Sequence, residues 1–172
     1  MESSAQAKAP VTALAGPYGH PLHPALVAVP IGAWIASFVF DLASRVVDHP
    51  GFLADGSRWL IAIGVLGALA AAVTGFLDLL AIPPRTPAFR TALVHMSLNL
   101  AVTAAYAINF LARGGQPAAA PVPWGALAAS AVSLAALSVS GYLGGKLAYR
   151  YGVRVADEST QAEGYRVPKE DL

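Results

Sequence analysis

His20-Pro21-Leu22-His23-Pro24 runs directly into Ala25-Leu26-Val27-Ala28-Val29-Pro30-Ile31-Gly32-Ala33-Trp34-Ile35-Ala36-Ser37-Phe38-Val39-Phe40, and no charge interrupts the run before Asp41. A helix crossing the hydrocarbon core of a bilayer needs about 20 predominantly apolar residues, and this run supplies one from Pro24 to about Leu42. Pro24 suits the first turn of a helix, where its missing N–H removes no bond. Pro30 lies inside the run and predicts a kink, which a membrane bundle tolerates when neighbours satisfy the freed carbonyl.

The rest of the chain repeats the pattern. Three further uncharged or nearly uncharged runs give spans over about 59–80, 89–112 and 122–149. Trp59 fits an interfacial anchor. Gly64, Gly67, Ala71 and Gly75 recur at helical spacing and form a small-residue face suited to close helix approach. Between the spans lie a polar connection from Arg45 to Arg58, the proline-stiffened stretch Ile82-Pro83-Pro84-Arg85-Thr86-Pro87, and a Gly/Pro/Ala loop from Gly114 to Pro123. The reading is an all-α polytopic membrane protein, a four-transmembrane-helix bundle over 18–154, with a flexible arm over 1–17 and a polar tail over 155–172. A soluble helical bundle would need polar helix faces, and the second and fourth runs have none.

Composition agrees. The chain of 172 residues is 56% hydrophobic and 12% charged, against about 25% charged in soluble domains, and its mean hydropathy is +0.56. A net charge of +1 gives no reason to expect a nucleic-acid partner. The absence of cysteine excludes disulfides, thiolate metal sites, cysteine-ligated iron–sulfur clusters and covalently attached haem. The N-terminus lacks the basic start and apolar core of a cleaved signal peptide.

Four spans put both termini on one side. That side carries Lys8, Arg85, Arg90, Lys146, Arg150, Arg154, Arg166 and Lys169, and the other only Arg45, Arg58 and Arg113. The positive-inside rule then predicts cytoplasmic termini. The same threading gathers His20, His23, His95 and Asp78 at the cytoplasmic face, with Asp78 and His95 expected to turn inward, toward each other. On the third span His95, Asn99, Thr103, Tyr106, Asn109 and Arg113 recur every three or four residues and form one polar stripe. Its far end reaches the depth of Asp41, which predicts an Asp41–Arg113 pair.

Imidazole is the commonest metal ligand, and a carboxylate often completes or supports the set. Three histidines and one aspartate suit zinc or non-haem iron, and His23 with His95 suits a b-type haem between the first and third spans. A proton relay along the polar stripe is a further reading. The competing reading is structural: His-Pro pairs shape a helix entrance, and the polar groups hold the bundle together. His49, beside Pro50 in a connection, is expected to be incidental. No nucleophile–base arrangement is present, so no catalytic residues are assigned.

The His-Pro-Leu-His-Pro stretch with the Ala-Leu-Val-Ala-Val-Pro-Ile-Gly that follows resembles the signature of a bacterial membrane family catalogued as domain of unknown function 2231. The resemblance continues through Gly75-Phe76-Leu77-Asp78, His95 and Asn99, and Ser140-Gly141-Tyr142-Leu143-Gly144-Gly145-Lys146-Leu147 leading into Tyr149-Arg150-Tyr151-Gly152-Val153. It covers about residues 18–155 and implies a four-helix inner-membrane protein without an established activity. Some relatives are joined to a Rieske-type iron–sulfur domain, which implies a redox setting. This chain lacks that domain and would meet such a module only as a partner protein. The expected partners are thus the lipid bilayer, a redox protein and a second copy of the chain. The alternative is a non-catalytic structural or accessory subunit.

Overall fold

Leu22–Leu26 (α1) and Ala28–Ala43 (α2) form one crossing of 22 residues, interrupted only at Val27. The computed structural model describes residues 7–8, 12–16, 20–117 and 120–165. Tyr18, Gly19, most of the arm read over 1–17 and the tail beyond 165 lie outside them. The interruption at Val27 follows from Pro30, which has no N–H for the Leu26 carbonyl and whose ring crowds it. The flanking bonds persist: Val27 N–H donates to the His23 carbonyl at 3.1 Å, and Ile31 N–H to that of Val27 at 3.3 Å.

The second crossing, α3, spans Gly51–Leu80. It begins eight residues before the expected 59, so much of the polar connection is helix. The polar residues there lie on helical faces: Ser57 points into the bundle and is fully buried. Gly56 lies close under the Phe40 ring, where a Cβ would come to 3.0 Å. At about 1.5 Å per residue, α3 is roughly 45 Å long and outreaches a hydrocarbon core of about 30 Å.

Arg85, in the left-handed region at φ 66°, turns the chain into α4, Pro87–Ala112. Thr86 caps α4 by accepting from Phe89 N–H at 3.1 Å, and Pro87 occupies the first turn. After a 3-10 turn at Arg113–Gly115, α5 runs Trp124–Gly145 and ends in a single π turn, Lys146–Arg150. Gly152 (φ 66°) and Arg154 (φ 59°) then fold the chain back. Val153 N–H donates to the Leu147 carbonyl and Arg154 N–H to that of Ala7, each at 3.0 Å. The tail carries a short exposed helix, α6, Glu158–Glu163. Asp157 caps it, its carboxyl held down to about 2 by the Ser159 hydroxyl and the Thr160 N–H.

The crossings pack as a ring, with α2 on α3, α3 on α4, α4 on α5 and α5 back on α2. The first and third crossings therefore face each other diagonally. The polarity runs opposite to that of a soluble bundle. Ser37, Asp41, Ser57, Thr74, Asn109, Arg113, Ser130, Ser133 and Ser140 are buried, while Val29, Ile35, Val39, Leu66, Val73, Leu100, Ile108, Val132 and Val139 lie on the outside. Polar groups in a bilayer turn inward and apolar ones face lipid. All four crossings are long and apolar enough to span a membrane.

The two helix pairs are built alike. His23 meets His95, Trp34 stacks on Tyr106 and Asp41 pairs with Arg113. Each pair is separated by 72 positions (95 minus 23, 106 minus 34, 113 minus 41). The second helix of each pair follows suit. His23 reaches the Ala71 carbonyl and His95 that of Ser140; Trp34 Nε1 donates to the Ile61 carbonyl and Tyr106 hydroxyl to that of Ser130. Here the offset is 69 (140 minus 71, 130 minus 61). Equivalent residues touching one another are the mark of a two-fold axis between them.

Candidate functional site

Two polar layers lie on this axis, at opposite ends of the bundle. The far layer holds Asp41 and Arg113, both fully or nearly fully buried. Arg113 Nη1 donates to Asp41 Oδ1 at 2.8 Å and Nη2 to Oδ2 at 2.7 Å, a bidentate pair. Arg113 Nε donates to Asn109 Oδ1 at 2.8 Å and Nη1 also to Ser57 Oγ at 2.9 Å. The Ser57 hydroxyl donates to Asp41, and Asn109 Nδ2 to Ser130 Oγ at 3.1 Å. With its partners in place, the pair fastens the first crossing to the second, third and fourth. Every guanidinium nitrogen and both carboxylate oxygens have a partner within the layer.

The near layer holds His23 and His95. Their ring centres are 6.3 Å apart and their planes are nearly perpendicular, at 87°. His23 Nδ1 lies 2.9 Å from the Ala71 carbonyl and His95 Nδ1 2.8 Å from that of Ser140. A carbonyl only accepts, so each Nδ1 carries a proton in this geometry, and in the neutral ring Nε2 keeps its lone pair. The Ser140 hydroxyl also lies 2.9 Å from His95 Nδ1. Asn99 Nδ2 stands 3.2 Å from His95 Nε2 and 3.5 Å from Nδ1. A donor aligned with the Nε2 lone pair would lie much farther from Nδ1, so the amide rests against the ring. Its better bond is to the His95 carbonyl, at 2.9 Å.

Two glycines make room for the rings. A Cβ on Gly75 would lie 2.8 Å from His23 Nδ1, and one on Gly144 3.1 Å from His95 Cε1. Each stands four residues after the carbonyl its histidine uses, so a bare turn of helix receives the imidazole in both halves. The arrangement of protonated Nδ1 on a carbonyl with Nε2 free is how proteins orient metal-binding imidazoles.

The other expected members are elsewhere. Asp78 does not face His95: Arg154 Nε donates to its Oδ1 at 2.7 Å, with both side chains almost wholly buried. The chain folds back after the π turn and brings a permanent cation to a carboxylate that needs one. His20 and His49 are exposed. Among the described residues, no group of three or more histidine and carboxylate side chains is placed to hold a metal ion. The four-ligand set His20, His23, His95 and Asp78 is therefore not assembled, and only the histidine pair is. Sequence reasoning missed Arg154 as the partner of Asp78, although the threading had put both at the same end of the bundle. It also missed Ser140, Gly75 and Gly144 as the groups that seat the rings.

Residues 19–157 match the family model described as "Predicted membrane protein (DUF2231)". The chain belongs to this family. No curated protein matches the chain, and no solved structure does. In this DUF2231 protein the matched region takes in all four crossings, both polar layers and the Arg154–Asp78 closure. It also contains both glycines that receive the imidazoles.

Proposed function

We propose that this DUF2231 protein is a small membrane metalloprotein in which His23 and His95 would hold one metal, as in a b-type haem, each through Nε2. The observation that carries the reading is the spacing of two oriented rings. Two metal–nitrogen bonds of about 2 Å each, with roughly 1 Å inside each ring, span about the 6.3 Å between the ring centres. Two protein ligands are too few for a zinc site of four. The remaining coordination would come from a bound group such as a haem. The chain's own part would be to hold both imidazoles in the right tautomer, keep water from the metal and carry the site in the bilayer. The metal would supply one-electron chemistry, which suits a redox partner protein.

The test is absorption spectroscopy with elemental analysis on purified protein. A haem spectrum in the wild type, lost in both His23→Ala and His95→Ala, is the expected result. A colourless, metal-free sample with native helicity would overturn the reading. One observation favours a second reading, that of a non-catalytic accessory subunit. Each imidazole already ties two helices together through a carbonyl, a role that needs no metal, and the same assay separates the two.

The location proposed is the bacterial inner membrane with both termini in the cytoplasm. The charge asymmetry supports it, and it survives when the buried cation of each side, Arg113 on Asp41 and Arg154 on Asp78, is set aside. Reporter fusions at the C-terminus and in the 114–123 loop would give opposite activities; a C-terminal fusion active only outside the cytoplasm would reverse the assignment.

A further inference from the structure

The end of the fourth crossing carries a feature that the histidine site does not use. Tyr142, Gly145, Lys146, Tyr149 and Arg150 line a surface hollow of about 410 Å³. Lys146 and Arg150 are the first and last residues of the π turn, so their side chains emerge one turn apart on the same side. Tyr142 and Tyr149 are 74% and 92% exposed, and at a membrane interface such rings sit at the headgroup level. Gly145 leaves the floor of the hollow bare beneath the Tyr149 ring, whose Cδ2 a Cβ there would approach to 3.9 Å.

Depth and charge then narrow the occupant. The hollow begins inside the last apolar helix and ends at the polar turn, the depth at which tyrosines gather and phosphates lie. Among the described residues no carboxylate is paired with Lys146 or Arg150: Asp78 is held by Arg154 and Glu158 by Lys8. The Lys146 ammonium lies 5.7 Å over the Tyr151 ring, which fixes its direction without neutralising it.

We infer that this hollow is a binding site for one anionic glycerophospholipid. Lys146 and Arg150 take the headgroup phosphate, the guanidinium as a fork and the ammonium as a point charge. Tyr142 and Tyr149 flank the glycerol and the first carbons of the acyl chains. The site is independent of the histidine pair, and its failure leaves that reading untouched.

The experiment is native mass spectrometry of the full-length protein released from mixed micelles containing equal phosphatidylglycerol and phosphatidylcholine. The wild type is expected to retain phosphatidylglycerol about tenfold or more over phosphatidylcholine, since each interfacial cation attracts an anionic lipid. The double variant Lys146→Gln/Arg150→Gln is expected to lose the preference, and Arg150→Gln alone, at an exposed position, to lose part of it. Arg90→Gln, an exposed cation at the same end but outside the hollow, is expected to keep it. Equal retention of the two lipids by the wild type would overturn the proposal. So would equal loss in Arg90→Gln, or displacement of the bound lipid by millimolar inorganic phosphate, which would make the site one for a free anion.

Discussion

His23 and His95 differ in how tightly their glycines press on them, and the difference can be read out. A Cβ at position 75 would lie 2.8 Å from His23 Nδ1 and 2.9 Å from its Cε1. The group that must yield is the end of a flexible side chain, so Gly75→Ala moves the ring and spares the helix. Replacing a mid-helix glycine by alanine itself favours the helix by roughly 0.5–1 kcal/mol. The expected outcome is therefore a separation of effects: helicity and thermal stability unchanged or slightly raised, with the His23 Nδ1–H bond to Ala71 broken. Nitrogen NMR on histidine-labelled protein would show His23 losing its fixed Nδ1–H tautomer while His95 keeps its own. Gly144→Ala has more space, with its nearest ring atom at 3.1 Å, and should perturb His95 less. A Gly75→Ala protein in which both tautomers stay fixed would show that the glycine does not seat the ring. In the haem reading, the same variant lowers the bound metal without unfolding the chain.

At the scale of helices, hydropathy made the four crossings legible, because a bilayer demands long uncharged runs and punishes exceptions. Pro30 marked the flaw in the first crossing, whereas Pro87, read as the end of the proline-stiffened connection, opens α4 two residues before the expected 89 with Thr86 as its cap. The beginning of α3 was not legible. Asp55, Gly56, Ser57 and Arg58 have the composition of a loop, yet Ser57 turns in to Asp41, Gly56 packs under Phe40 and Arg58 lies over the Phe110 ring, its guanidinium carbon 4.6 Å from the centroid. A helix whose inner face is polar defeats any reading that equates polar residues with solvent. The polar stripe on the third crossing could be read from its period, and its far end lies beside Asp41. Its near end does not meet Asp78, because the partner of that carboxylate comes from a fold-back set by two left-handed residues, Gly152 and Arg154. Nothing in local pattern announces that Arg154 adopts φ 59°; tertiary contacts with Ala7 and Asp78 hold it there.

The whole molecule is organised by its quasi-two-fold axis, and the offset of 72 that betrays it was present in the sequence in one pair of like type, His23 and His95, and two of unlike type, Trp34 with Tyr106 and Asp41 with Arg113. Only contacts reveal that such positions are equivalent. The axis also makes a prediction about the buried ion pair. Reversing one charge, as in Asp41→Arg, sets two guanidinium groups against each other in a buried site, and breaking a buried pair costs about 3–5 kcal/mol even without the added repulsion. Asp41→Arg and Arg113→Asp singly should therefore abolish folded, monodisperse protein in mild detergent. The double exchange restores opposite charges across an axis whose two sides have the same helix geometry. Ser57 and Ser130, which now flank Asp41, remain close enough to serve either orientation. Recovery should be incomplete. Asn109 now gives Arg113 Nε an acceptor at 2.8 Å, and the equivalent position on the first crossing is Ser37, whose hydroxyl is already spent on the Trp34 carbonyl at 2.9 Å. An arginine at 41 would lose that bond, a deficit of about 1 kcal/mol if it resembles other interhelical bonds in membranes. Thermal unfolding followed by size-exclusion fluorescence would place the exchanged protein slightly below wild type and far above either single variant. If the double variant behaved no better than the singles, the two sides of the layer would not be equivalent and the axis would be a matter of appearance alone.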